Sequence, residues 1–104
     1  MANTVKALFR GAATTTTTTV LYTVSATNTV VTNIAVTNTA SSAATFTLGM
    51  GTAGSNTSLH TTTTISANST VYIDLKQVLA TTNTITGGAS ATTVSFHISG
   101  VEIA

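Results

Sequence analysis

The 104-residue sequence contains no cysteine, no proline and no tryptophan, and charged residues make up only 5% of it. The lack of cysteine excludes disulfides and thiolate metal sites, and it leaves the redox compartment undetermined. Disordered chains combine low hydrophobicity with high net charge. Here hydrophobic residues make up 42% and the mean hydropathy is +0.43, so we expect a folded chain.

The few charges almost cancel. They give a net charge of +1 and are Lys6, Arg10, Lys76, Asp74 and Glu102. This set supplies neither a basic patch for nucleic acid nor a polybasic anchor for anionic lipid, so we expect no nucleic-acid partner and no membrane partner. No run approaches the roughly 20 apolar residues of a membrane-spanning helix. The N-terminal segment lacks the apolar centre of a signal peptide, so we expect synthesis in the cytoplasm.

Hydroxyl and amide side chains take the place of charge, with 28 Thr, 10 Ser and 7 Asn. Threonine is β-branched and favours strands. Apolar and polar residues alternate with a period of two along most of the chain, and Gly, Asn and Ser clusters interrupt the pattern. We predict an all-β fold with a single domain over residues 1–104. It would be an antiparallel β-sandwich of about eight strands, either jelly-roll or immunoglobulin-like.

The same alternation predicts which side chains fill the space between the two sheets. The expected core consists of Val20, Tyr22, Val30, Ile34, Val36, Phe46, Leu48, Ile73, Leu75, Ile85, Val94, Phe96 and Ile98. Phe9 is expected to join the core, whereas Tyr72 is expected to face outward.

Two threonine tracts are in phase with neighbouring strands. The pattern predicts a strand over Thr17–Val24, with Thr14–Thr16 as its approach or as a loop; a disordered tether is the alternative for the first threonines. The tract Thr61–Thr64 is predicted to be strand.

Three local patterns depart from simple alternation. The stretch Asp74–Ala80 favours a single helical turn, and the glycines of Thr86–Ser90 favour a turn. Apolar residues change from even to odd positions around Gly100, which predicts a β-bulge with its extra residue there.

The N-terminal segment has two possible roles. Its basic and apolar side chains form a candidate interaction arm that would order on a neighbouring subunit, with a hinge at Gly11: Val5, Lys6, Leu8, Phe9 and Arg10. The alternative is that residues 1–13 are simply the first strand of the sandwich.

Catalytic chemistry is poorly supported. The only histidines are His60 and His97, and the only carboxylates are Asp74 and Glu102. They match no metal-ligand spacing, and no serine lies in a nucleophile elbow. We expect no enzymatic activity, no metal and no cofactor. For carbohydrate, Tyr72 would be a single stacking platform, so a glycan partner is not favoured.

Proline and charge usually protect exposed strand edges, and here proline is absent and charge is scarce. A monomer would therefore expose neutral, Thr-rich edges and faces. We expect these surfaces to be covered in an assembly.

Three stretches carry a resemblance to a known group: "VVTNIAVTNTASSAATFTLGM" (30–50), "ISANSTVYIDLKQVL" (65–79) and "SATTVSFHISGVEI" (90–103). They resemble small virion structural proteins of tailed bacteriophages, and the similarity extends from about Thr19 to Ile103. Members of that group often carry proline after "LYTV", where this chain has Ser25, so the chain departs from the group's pattern at that turn.

The resemblance implies a non-enzymatic structural subunit located in the virion. Our first expectation is a capsid decoration protein, forming a homotrimer that packs on the major capsid protein. A neck, collar or tail-surface protein is the alternative within this class. A glycan-binding module for host attachment is the alternative from another class.

Overall fold

The computed structural model describes residues 3–52 and 55–103, which form eight β-strands and no helix. The strands are β1 (Asn3–Ala12), β2 (Val20–Thr23), β3 (Asn28–Asn38), β4 (Ala44–Gly51), β5 (Thr57–Ile65), β6 (Ser69–Ala80), β7 (Thr84–Ala89) and β8 (Val94–Ile103). Within the described ranges, no helix is long and apolar enough to cross a membrane.

The strands form two four-stranded antiparallel sheets. Sheet I has the order β1-β8-β3-β6, and sheet II has the order β2-β7-β4-β5. The first strand thus pairs with the last, the second with the seventh, the third with the sixth and the fourth with the fifth. This order is that of a jelly roll, two Greek keys folded onto each other. The predicted all-β sandwich is confirmed, and its topology is jelly-roll rather than immunoglobulin-like.

The core lies between the two sheets. Phe46 of sheet II meets Phe96 of sheet I edge-on, with ring centroids 6.3 Å apart. The predicted core residues that are buried are Ile34, Val36, Phe46, Leu48, Ile85, Val94, Phe96 and Ile98. Phe9, Tyr22, Ile73 and Leu75 are half-buried and pack against this core. The expected core did not include several further buried side chains, namely Leu8, Ala13, Val24, Val31, Ala44, Met50, Ile65, Leu79 and Ala89.

Two core predictions are wrong because bulges change the phase of the alternation. Val20 is 55% exposed, since the pairing of β2 with β7 shifts register between Val20 and Tyr22. On β3, Val31 rather than Val30 is buried. Thr32 is an extra residue relative to β8, so the buried positions are odd before it and even after it.

The bulge predicted at Gly100 of β8 is wrong in its strand, although bulges do occur on both neighbouring strands at the level of Gly100. β8 keeps its alternation through Gly100 to Glu102. The extra residues belong to its neighbours: Leu8 on β1 and Thr32 on β3. A side chain at Gly100 would bring its Cβ within 2.9 Å of the Leu8 side chain and onto the Val30 carbonyl oxygen. Glycine is therefore required here by the close approach of neighbouring strands.

The first threonine tract forms a folded loop instead of extending the strand. β2 runs only from Val20 to Thr23, so the strand predicted over Thr17–Val24 is too long by three residues at its start and one at its end. The loop is fixed to β7, because the Ala89 amide donates to the Thr14 carbonyl and the Gly87 amide to the Thr19 carbonyl, both at 2.9 Å. The predicted Thr86–Ser90 turn is also wrong, since both of its glycines lie within β7.

Two further predictions are corrected and one is confirmed. Asp74–Ala80 is part of the long strand β6 and forms no helical turn, because it pairs with β3. Gly11 is not a hinge, because it pairs with Phe96 inside β1. The second threonine tract, Thr61–Thr64, lies in β5 as predicted.

Candidate interaction surfaces

The N-terminal segment is β1, an edge strand of sheet I that pairs with β8. Leu8 is buried and Phe9 packs against the core, so these two side chains hold β1 to the sandwich. Val5 and Arg10 are exposed, with Val5 at 84%. The candidate arm therefore divides into an inward half that supports the fold and an outward half available for contacts. Met1 and Ala2 lie outside the described residues.

Lys6, the remaining residue of the candidate arm, joins a polar cluster at one end of the sandwich. Its Nζ lies 3.3 Å from Glu102 Oε2. The Tyr22 hydroxyl donates to the same oxygen at 2.5 Å and lies 3.0 Å from the Thr29 hydroxyl. The bond from Tyr22, followed by Lys6, holds the pKa of Glu102 below its ordinary value against the opposing effect of burial. Burial, followed by the bond to Glu102, raises the pKa of Tyr22. The cluster ties β2 of sheet II to sheet I.

The cluster does not include a histidine. His97 lies on the outer face of β8, paired with Arg10 and Ala35, whereas Glu102 lies on the inner face. His60 lies against Phe46, with ring centroids 5.4 Å apart. In the part of the chain that the structure describes, no three His, Asp or Glu side chains come together as a metal site.

The edges of sheet I are charged, contrary to the expectation that charge barely protects the strand edges. Lys6 and Arg10 lie on β1, and Asp74 and Lys76 lie on β6. Four of the five charged residues thus lie on the two edge strands of one sheet. Charge on an edge strand opposes pairing with another chain.

The edge strands of sheet II are protected against pairing with another chain by their shortness and irregularity. β2 has only four residues. β5 shifts register twice relative to β4, around Thr47 and at Leu59. The first shift places Thr62 at a positive φ of 47°. Short strands and bulges both oppose edge-to-edge pairing, so the faces of this protein, more than its edges, are available for contacts.

The outer face of sheet I carries three large exposed apolar side chains. Val5, Tyr72 and Val78 are exposed at 84%, 73% and 67%. They lie on the two edge strands of this sheet. Exposed apolar side chains gathered on one face mark interaction sites more often than scattered ones do.

The outer face of sheet II carries a hydroxyl-rich cleft of about 360 Å³. The threonine loop lines one side, and the segment before β5 lines the other. The lining residues are Thr17, Thr18, Val20, Thr47, Gly49, Ser55, Asn56, Ser58, Thr84 and Thr86. No charged or aromatic side chain is among them.

Asn56 fixes the floor of the cleft. In the amide orientation that satisfies all its polar atoms, its nitrogen donates to the Thr52 carbonyl at 2.8 Å and its oxygen accepts from the Thr86 hydroxyl at 2.9 Å. The same nitrogen also donates to the Thr84 hydroxyl at 3.1 Å. The cleft is thus preorganised and neutral, which suits a ligand with hydroxyl groups better than an ion.

The sequence predicted neither the gathering of exposed apolar side chains on the outer face of sheet I nor the cleft on sheet II. Predicting which residues share this face requires the register of four strands, and alternation along one strand does not provide that register. Predicting the cleft requires knowing that the threonine loop lies across β7. The only indication of this in the sequence was the pair Gly87-Gly88 in a strand-like stretch.

No protein-family profile matches the sequence, and no curated protein matches it either. Among solved structures, a chain of the T13 particle of infectious bursal disease virus is similar over 95% of this chain, with a TM-score of 0.56 and 9% identity. A pentameric capsid protein isolated from metagenomic phage sequences is similar over 91%, with a TM-score of 0.50 and 15% identity. This chain spans 30% of the first and 61% of the second. The similarity shows that the chain has the jelly-roll fold found in viral capsid proteins.

Proposed function

We propose that this protein is a non-enzymatic structural subunit of a virion. The observation that carries the proposal is the jelly-roll strand order, β1-β8-β3-β6 against β2-β7-β4-β5, which is used by capsid proteins. The nearly uncharged composition supports it, because such a surface suits close packing against neighbouring subunits. Among the described residues, no group of three His, Asp or Glu side chains offers a competing metal centre.

The more specific proposal is a capsid decoration protein of a tailed bacteriophage that forms a homotrimer and packs on the major capsid protein. It is supported by the resemblance of residues 19–103 to small virion proteins of these phages. A neck, collar or tail-surface protein is the competing position in the particle. Of the candidate arm, Val5 and Arg10 are the side chains we propose for contacts with neighbouring subunits.

Copy number in purified particles tests both levels of the proposal. Quantitative mass spectrometry giving hundreds of copies per particle would support the capsid, whereas roughly six to twelve copies would indicate the neck or the tail tip, where ring symmetry is low. Absence from the particle would overturn the structural role. As a control, the major capsid protein measured in the same digest fixes the scale.

The arm proposal needs point variants because β1 belongs to the fold. Deleting residues 1–11 removes Leu8 and Phe9, so we expect thermal stability to collapse. Val5→Ser together with Arg10→Gln changes only the exposed half. If the outward half makes contacts, this double variant stays folded and incorporates poorly into particles; normal incorporation would refute the contact role.

A glycan-binding module is the second candidate, and the hydroxyl-rich cleft is the observation that favours it. Tyr72, the stacking platform expected from the sequence, lies on sheet I and so cannot share a sugar with the cleft. A glycan array separates the two sites. Hits lost in Asn56→Ala but kept in Tyr72→Ala would assign binding to the cleft, and an array without hits would eliminate this function.

A further inference from the structure

Four valines line up across the outer face of sheet I. Val5 of β1 pairs with Val101 of β8, Val101 pairs with Val30 of β3, and Val30 pairs with Val78 of β6. This valine row crosses the whole sheet, a distance of roughly 14 Å for three gaps between strands. Val30 and Val101 are not part of the core, because their neighbours along the strand occupy the inner face.

On one side of the row, the two edges of the face carry different side chains. Two rows along, Arg10 on β1 is level with His97, Ala35 and Tyr72. Asp74 lies on β6 between the level of Tyr72 and that of the valines. The β1 edge thus offers a cation, and the β6 edge offers an aromatic ring and a carboxylate. Lys76 is also exposed on β6. It lies between Asp74 and Val78 along the strand, so it is farther from the level of Arg10 than Asp74 is.

We propose that the outer face of sheet I binds a second copy of this chain, face to face, about a two-fold axis parallel to the strands. Such an axis reverses the strand order, so β1 of one copy lies over β6 of the other, and β8 lies over β3. The valine row then meets the valine row of the second copy. If the strands of the two facing sheets cross at about −30°, as in aligned sheet packing, the central strands of the two copies stay in contact.

This axis makes the face complementary to itself. Arg10 lies over Tyr72 of the second copy, with Asp74 of that copy within reach, so the guanidinium gains both a ring face and a carboxylate. His97 lies over the small Ala35. A two-fold axis perpendicular to the strands would place β1 over β1 and leave both Arg10 side chains without a partner. Charge complementarity therefore selects the parallel axis.

The available area is sufficient for a specific contact. Strands of 10 to 12 residues give a face of roughly 34 Å by 19 Å. Two such faces bury roughly 1,200 Å², the lower end of the range for specific interfaces. The contact does not depend on the proposed virion role, and it is compatible with a trimer built through other surfaces.

A single charge in the valine row tests the contact. Val30→Asp places two unpaired carboxylates in each two-fold interface, so we expect dissociation to become at least about 100-fold more favourable. Sedimentation equilibrium should show the mass of the wild-type assembly halved, from two 10.4 kDa chains to one, or from a pair of trimers to a single trimer. Val20→Asp is the matched control on sheet II and should leave the mass unchanged. A circular dichroism melt checks that both variants are folded.

The direction of the axis is tested by crosslinking, which the absence of native cysteine makes unambiguous. A mixture of Val5→Cys and Val78→Cys proteins should form crosslinked dimers with a short bismaleimide, whereas either variant alone should not. Dimers from Val5→Cys alone would overturn the parallel axis. A wild-type mass that stays at one chain at all concentrations, or that is halved by Val20→Asp and not by Val30→Asp, would overturn the contact itself. Presence or absence of the protein in particles bears only on the virion role.

Discussion

Replacing Gly88 with alanine tests whether the threonine loop is an integral part of the fold. A Cβ at this position would overlap the carbonyl oxygen of Thr16 and come within 2.9 Å of that of Thr14. Both atoms belong to backbone, so neither can rotate away. The Thr16 carbonyl is also the acceptor for the Thr14 hydroxyl at 3.1 Å and the Thr19 hydroxyl at 3.0 Å. The loop must therefore move as a unit.

The expected cost follows from the bonds that hold the loop. Two backbone hydrogen bonds, from Ala89 to Thr14 and from Gly87 to Thr19, would weaken at about 0.5–1.5 kcal/mol each. Overpacking adds about 1 kcal/mol or more. The lower entropy of alanine in the unfolded chain offsets about 0.4–1 kcal/mol. The net loss is about 2 kcal/mol, which lowers the Tm of a domain of this size by about 8–16 °C.

Thermal unfolding followed by circular dichroism measures this loss, and hydrogen exchange at the Gly87 and Ala89 amides locates it. Gly11→Ala is the matched control, because the nearest atom to its Cβ is a Phe9 ring carbon at an ordinary 3.5 Å. We expect the control to melt at or slightly above the wild-type temperature. A Gly88→Ala protein with wild-type melting and undiminished amide protection would show that the loop does not pack on β7 as described.

Three further predictions follow from the core, the polar cluster and the composition. Phe96→Ala should cost about 3–5 kcal/mol in urea unfolding, because its side chain is fully buried; a loss below about 1 kcal/mol would contradict its central position. The pKa of Glu102 is lower in the folded state than its ordinary value of 4.5, so its stabilising effect is complete above that value and is lost as the pH falls through the folded pKa. Glu102→Gln should therefore lose less stability than wild type between neutral and acid pH, and equal losses would argue against the cluster. Association should weaken only slightly with added salt, because five charged residues cannot dominate a large contact; a steep decline in affinity would refute this.

Parts of the interaction surfaces were accessible from sequence, and parts were not. The N-terminal segment was identified as notable from its basic and apolar residues. Only the structure separates Leu8 and Phe9, which hold β1 to the core, from Val5 and Arg10, which face outward. Both groups lie on one strand, and the bulge at Leu8 interrupts the simple rule that alternate residues share a face.

The sequence by itself determined the class of fold and the centre of the core. Alternation with a period of two is a local property of a strand, so it identifies Ile34, Phe46 and Phe96 as inward-facing without any knowledge of their partners. The tertiary structure alone decided the jelly-roll strand order, the packing of the threonine loop on β7, and the valine row. It also decided the positions of the bulges, one of which leaves Val31 buried in place of Val30. Each of these depends on pairing between distant segments, as when Val5 meets Val101. Many registers satisfy the same alternation, and what selects among them is the combined packing of both sheets.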